Sequence, residues 1–275
     1  MNLPTPQRPH FRRPPILEQA ISLNFERLPE FDSVDFGLFW HEIRDQFPRA
    51  DTAPRTAAPV ESFEGIETSM MLSLVQPLQL PRSLFRNDAN GELVQVQDDS
   101  FGFNWIKASD GSQYPRFEQT SGRLWELYGL FTSYLQKRHN RSPALRQCEL
   151  TNVNLIPVSD FGEDFSDMGS AFVIDPFAWG VPGLVAETYV RRRQHRIVDE
   201  SGKAVGRLHS VISPVYDQRN AKQFQFEITA RSAPTIRTDE QAVAFFDRAH
   251  SMINGVFVAS ATKSMRALWG EFDGE

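Results

Sequence analysis

The sequence predicts an α+β fold in which antiparallel meander sheets are each covered by a long amphipathic helix. Three observations carry this expectation. Apolar residues alternate with period two in the stretches 16–26, 93–107 and 223–230, the mark of strands with one buried face. Two longer stretches, 115–139 and 238–268, repeat their apolar residues at helical spacing. Turn signals at Asp88-Ala89-Asn90-Gly91 and Glu200-Ser201-Gly202-Lys203 join neighbouring strand runs at hairpin distance. Each half then reads as a meander followed by a helix, which points to two related lobes, although no residue-level repeat supports a duplication. The expected organisation is an extended N-terminal arm over 1–15, a first lobe over 16–157, an acidic connection over 158–183 and a second lobe over 184–275.

The arm, rich in proline and basic side chains, is expected to be extended, because proline fixes φ and donates no amide hydrogen bond. In the first strand Leu17, Gln19, Ile21, Leu23 and Phe25 share a face on which Gln19 is the only polar member. Phe36, Trp40, Ile43 and Phe47 then recur at helical spacing, and residues 49–59 carry no period and read as a loop. From Val60 to Lys107 the pattern is that of a meander that includes SMMLSLVQPLQL and ends in a hairpin around Asp98-Asp99. Phe101, Phe103 and Trp105 face one way on its last strand, and Asn104 faces the other. The helix after Tyr114 opens with Pro115 in the first turn, where a missing N–H costs nothing, and stripes Phe117, Ser121, Leu124, Tyr128, Phe131 and Leu135 along one side.

The next strand, Leu145 to Ile156, is polar for a strand: Asn152 and Asn154 share a face with Cys148 and Leu150, and Glu149 lies on the other. The acidic connection SDFGEDFSDMGS lacks the alternate-position ligands of a calcium loop and reads as a solvated segment. The second half offers strands over 184–198, 204–216 and 223–230. Its closing helix starts at Thr238, with Gln241 three residues on as in a capping box.

Composition narrows the function classes. With 40% hydrophobic and 23% charged residues in 275, the chain can bury a substantial core. Its 22 phenylalanines read as sheet faces packed on helices rather than as a binding platform. A formal net charge of −6 argues against a dedicated nucleic-acid binder and leaves room only for a local basic patch. The single cysteine, Cys148, excludes an internal disulfide and a multi-cysteine zinc site, and fits a reducing cytoplasm. No secretory h-region and no apolar run of about 18 residues is present, so a cytoplasmic protein without membrane contact is expected.

Motifs for chemistry are sparse. The sequence holds no dinucleotide-binding glycine run after a strand, no phosphate-loop lysine, no HExxH and no nucleophile elbow, so no cofactor is expected. None of the six histidines stands at metal-ligand spacing, and no metal site is expected. The candidate ligand-binding residues are Asn152 and Asn154, whose place in a strand calls for a hydrogen-bonding task, together with Glu149, Arg191, Arg193, His195 and His250. Arg191 and Arg193 project from one side of a strand and form a row able to meet phosphate or carboxylate groups. The same row also serves as charge that blunts an edge strand.

Several separated stretches resemble a sporadically distributed prokaryotic family of uncharacterised proteins. The residues that carry the resemblance are Pro14, Pro15, Ile16 and Glu18 near the start, Asn104-Trp105, Tyr114-Pro115, the strand set Glu149, Asn154 and Ile156, and the helix set His250, Phe257 and Thr262. Thr151-Asn152 stands where that family more often has arginine or tyrosine before its Asn. The resemblance implies no established activity; the family's patchy occurrence implies mobile or defence-linked genes. The expected function is therefore a non-enzymatic cytoplasmic binding or regulatory protein, antitoxin-like or defence-linked, that takes a protein partner, a second copy or a small ligand. The alternative is an enzyme on a phosphorylated or nucleotide-like substrate, with Arg191, Arg193 and His195 on the anion and Glu149 or His250 as acid/base. A second alternative is nucleic-acid binding through the arginine strand and the arm.

Overall fold

Nine strands form one antiparallel sheet in the computed structural model, which describes residues 9–57, 60–63, 80–108, 113–173, 187–188 and 190–273. The first half supplies β1 (Pro9–Phe11), β2 (Ile16–Phe25), α1 (Ser33–Ile43), β3 (Arg49–Ala53), β4 (Arg82–Asn87), β5 (Glu92–Gln97) and β6 (Ser100–Ile106). It continues with α2 (Arg116–His139) and β7 (Leu145–Pro157). The rest adds α3 (Met168–Ala171), β8 (Arg191–Val198), β9 (Ala204–Tyr216), β10 (Lys222–Ser232), α4 (Asp239–Ser260), α5 (Lys263–Leu268) and β11 (Glu271–Asp273). The sheet order is β3-β4-β5-β6-β2-β7-β10-β9-β8, and β1 pairs separately with β11. The α+β class with antiparallel strands is the one expected. Both halves of the chain build the same sheet, joined where β7 pairs with β10.

The period-two pattern settles which face is buried. Ile21, Leu23 and Phe25 on β2 lie level with Phe101 and Phe103 on β6 and with Cys148 and Leu150 on β7, all under the helices. α2 crosses β6, while α4 crosses β7 and β10 on the same face, and Trp125 meets Phe246 between the two helices. The phenylalanines are core: the ring of Phe131 packs on Phe25, Phe31, Phe39 and Phe101 at centroid distances of 6.1, 6.1, 5.2 and 5.1 Å. Removing such a ring costs about 3–5 kcal/mol. Cys148 is fully buried there, and burial pushes its thiol up to about 12, as for a structural thiol.

α1 is fastened to the end of α2 by a buried carboxylate. Asp32 caps the first amides of α1, and Asp35 returns a bond to the Asp32 N–H, a reciprocal capping box. Asp35 Oδ1 also accepts from Tyr134 Oη at 2.5 Å, Arg138 Nε at 2.7 Å and His139 Nε2 at 2.9 Å. Burial alone would raise the Asp35 pKa; the bonds from Tyr134, the Asp32 backbone, His139 and Arg138 outweigh it and hold the carboxyl below its ordinary value.

Five sequence expectations change. Residues 49–53, expected as loop, form the edge strand β3; it is exposed and polar and is held by backbone pairing to β4, so it carries no period. The helix expected to run to 268 ends at Ser260, where Ala261 turns extended and Thr262 caps a second helix through Met265 N. Pro115 occupies the cap position of α2 rather than its first turn. On β2 a register irregularity between Ile16 and Glu18 buries Ile16 and leaves Leu17 half-buried. Gln241 does not accept the Thr238 N–H of a capping box either; its side-chain oxygen accepts the Arg237 N–H. The stretch SMMLSLVQPLQL, Leu80 apart, and most of 174–190 lie outside the described residues. In the acidic connection Asp164 and Asp167 cap short turns, and Asp164 pairs with Lys222 at 2.9 Å. Among the described residues no helix is long and apolar enough to cross a membrane.

Candidate functional site

One row of the sheet makes a polar floor beneath the helices. Register places Trp105, Gln19, Asn152 and Ile228 side by side on β6, β2, β7 and β10, with Ile16, Asn154 and Phe226 in the next row. Alternation sends all of them to the helix face, which along these strands is otherwise apolar except for Ser232 at the end of β10. Gln19, fully buried, donates from Nε2 to Tyr114 Oη at 2.6 Å and to Asn152 Oδ1 at 2.9 Å, and its Oε1 accepts from Thr120 Oγ1. Asn154 Nδ2 donates to Phe226 O at 3.0 Å. Among the described residues this leaves the Asn152 amide nitrogen and the Asn154 side-chain oxygen outside any hydrogen bond, and both residues line open space.

That space is a cleft of about 1130 Å³. One wall is the entry to α2, with Tyr114, Arg116 and Phe117; the opposite wall is α4, with His250, Ile253, Asn254 and Phe257. The His250 ring stacks on Phe117 with centroids 4.2 Å apart and planes at 20°. Asn254 Nδ2 lies 3.0 Å from His250 Nε2, so the imidazole accepts there when the amide donates. The chain termini close the third side. β1 pairs with β11, the Arg13 N–H donates to Trp269 O at 3.0 Å, and Phe11 lies edge-on to Phe257 and Trp269. From Pro9 on, the arm is thus docked along the rim of the cleft; residues 1–8 lie outside the described ones.

The predicted site residues divide among three places. Asn152, Asn154 and His250 meet in the cleft. Arg191, Arg193 and His195 lie on β8, the far edge strand, three strands away from β7. Arg191 Nη1 there donates to Val173 O at 2.5 Å. Glu149 points to the opposite face of the sheet from Asn152 and His250, so an acid/base pair of Glu149 and His250 over a phosphate held by Arg191 and Arg193 is not assembled.

Glu149 belongs instead to a closed network on that opposite face. Arg196, Arg207, Arg231 and Glu149 form one lateral row across β8, β9, β10 and β7. Arg231 Nε donates to Glu149 at 2.5 Å and Arg231 Nη1 to Glu61 Oε1 at 2.8 Å. Glu61 also accepts from Arg207 and lies 2.7 Å from His209 Nε2. At 5% exposure, burial would raise the Glu61 pKa; its bonds to His209 and Arg231 hold it below the ordinary value. Glu61, Glu149, Arg207, Arg231 and His209 are all paired within the cluster, and the arrangement is that of a clamp.

Sequence reasoning missed Tyr114, Asn254 and Arg116 as parts of the cleft and Thr120 as a partner of its floor. Gln19 was visible as the one polar residue on a buried strand face, a signal equal in kind to Asn152 and Asn154. Comparison with models of known protein families, with curated proteins and with solved structures finds no match.

Proposed function

We propose that this chain is a non-enzymatic binding protein that takes a small ligand in the cleft between α2, α4 and the docked arm. The observation that carries the reading is the convergence of the Asn152 amide, the Asn154 oxygen and His250 on one aromatic-walled space of about 1130 Å³. A few directed polar groups set in a mostly apolar concavity are the usual make-up of a small-molecule site. Nothing in the packing requires asparagines on a buried strand face, since leucine or valine would fill the same rows. The same reading gives a common place to motif positions of the resembled family, for Pro14, Pro15, Ile16, Trp105, Tyr114, Asn154, His250 and Phe257 all line the cleft.

The test is a thermal-shift screen of the purified chain against mixed small metabolites. A ligand present at about 100 times its Kd stabilises the folded state by about 2.7 kcal/mol, which raises Tm by about 5–10 °C for a chain of this size. The shift is expected with the natural sequence and lost in Asn152→Leu, whose fold is checked by circular dichroism. A screen with no stabilising compound, alongside a partner protein that binds equally well to Asn152→Leu, would overturn the reading.

A further inference from the structure

We infer that the ligand of this cleft is an anion carried on a planar aromatic body, with the charged group seated at the start of α2. The inference rests on the cleft being a binding site and adds the chemistry of what it takes.

Charge is the first observation. The chain carries a net −6, yet Arg12, Arg13, Lys107 and Arg116 line the cleft against two carboxylates, Glu118 and Asp160. The four cations are exposed at its rim, and none forms an ion pair among the described residues. Four cations against two carboxylates make the local sign opposite to that of the molecule, and an excess of one sign of charge in a cleft concentrates ions of the other.

The second observation is the 24-residue helix α2 opening into this space with no side chain capping its first amides. Its cap position is Pro115, and the next residue, Arg116, sits at φ 39, a backbone region rarely taken by residues with side chains. Unsatisfied amides and the helix dipole favour an anion at such an end. Independently, Asn152 is only 8% exposed and presents a side-chain amide nitrogen with no acceptor among the described residues. Gln19 ties Asn152 to Tyr114, the residue before Pro115, so this donor and the helix start belong to one corner. That nitrogen opens on the cleft, where a ligand oxygen can accept from it.

The walls give the body of the ligand. Phe117 with His250, and Phe257 with Trp269 at 5.0 Å and 30°, are flat stacked pairs, and Trp105 stands edge-on to Tyr114 at 5.4 Å. Flat aromatic surfaces favour a planar ring between or upon them. The open Asn154 oxygen adds an acceptor suited to a ring N–H or exocyclic amine.

Two matched pairs of probes test this by isothermal titration calorimetry: indole-3-propionate with indole-3-propionamide, and adenosine monophosphate with adenosine. In at least one pair the anion is expected to bind about tenfold or more tighter than its neutral partner, the scale of one charge-assisted contact. Raised ionic strength shrinks that preference, and the double variant Lys107→Gln, Arg116→Gln abolishes it. The pair that responds separates an aryl carboxylate from a nucleotide as the source of the anion. Equal affinities within both pairs, or a preference that survives the double variant, would overturn the anionic assignment while the cleft remains a binding site. No binding by any of the four probes overturns it as well, and the metabolite screen then decides separately whether the cleft binds anything.

Discussion

Gln19→Leu is the sharpest test of whether the cleft floor is a built hydrogen-bonding unit. Leucine fills nearly the same volume on β2, so the change removes hydrogen bonds without opening a cavity. Three partners are affected: Thr120, Tyr114 and Asn152. Thr120 Oγ1 retains the Phe117 carbonyl at 3.0 Å and loses little. Tyr114 Oη keeps a hydrogen bond with Thr120, whereas Asn152 Oδ1 has no second partner among the described residues, and an orphaned buried group costs about 1–3 kcal/mol. The leucine gains roughly 1 kcal/mol from apolar burial. The net expectation is a loss of about 1 kcal/mol, read as a lower urea midpoint at unchanged slope.

The same logic fixes the sign of a coupling. Replacing both ends of a buried hydrogen bond by apolar groups costs less than the sum of the single changes. The double variant Gln19→Leu, Asn152→Leu is therefore expected to recover about 1 kcal/mol relative to additivity. A Gln19→Leu protein within about 0.5 kcal/mol of the natural one, together with strictly additive changes, would refute the view that these side chains form one network.

Two further outcomes follow from the fold. Asp35→Asn removes the charge that gathers Tyr134, Arg138 and His139; with Arg138 able to turn to water, about 2–3 kcal/mol should be lost at neutral pH. Because the Asp35 pKa is held below its ordinary value in the folded state, its contribution is present above about pH 4 and is lost as pH falls through the folded value. Urea midpoints of the two proteins should accordingly converge on acidification, and a constant gap would count against the assignment. Gly91→Ala should cost more than about 1 kcal/mol, because φ is 67 and a Cβ there would stand 2.0 Å from Ile106 O; a neutral urea midpoint would contradict that geometry.

Most strands and helices were legible because one face of each is buried. The period-two and helical repeats of β2, β6, α2 and α4 follow from a single apolar layer between sheet and helices. What stayed hidden is what does not depend on that layer. β3 is held by backbone bonds at an exposed edge, so its side chains carry no pattern. The break after α4 was masked by an apolar stripe that continues through Met265 and Trp269, both buried, into the next helix; Thr262 carried the only local signal. The cleft was half legible. Asn152 and Asn154 stood out on a strand, but their partners come from segments as distant as Phe11 and Trp269. Only the insertion of β2 between β6 and β7 brings Gln19 to them, and no local pattern encodes that order.

The two polar clusters of the sheet differ in a way that bears on function. On the face opposite the helices Arg207 and Arg231 lie side by side, and their mutual repulsion is answered by Glu61 and Glu149. A cluster that closes its own charges in this way holds chain segments together and has little left for a ligand. On the helix face the network of Gln19, Tyr114, Thr120 and Asn152 stops short of closing: among the described residues the Asn152 nitrogen and the Asn154 oxygen remain available at the edge of a large cleft. Selection for stability alone would favour apolar residues in those rows, as on the rest of that face. The unfinished hydrogen bonds therefore point outward from the protein, to whatever fills the space between α2, α4 and the arm.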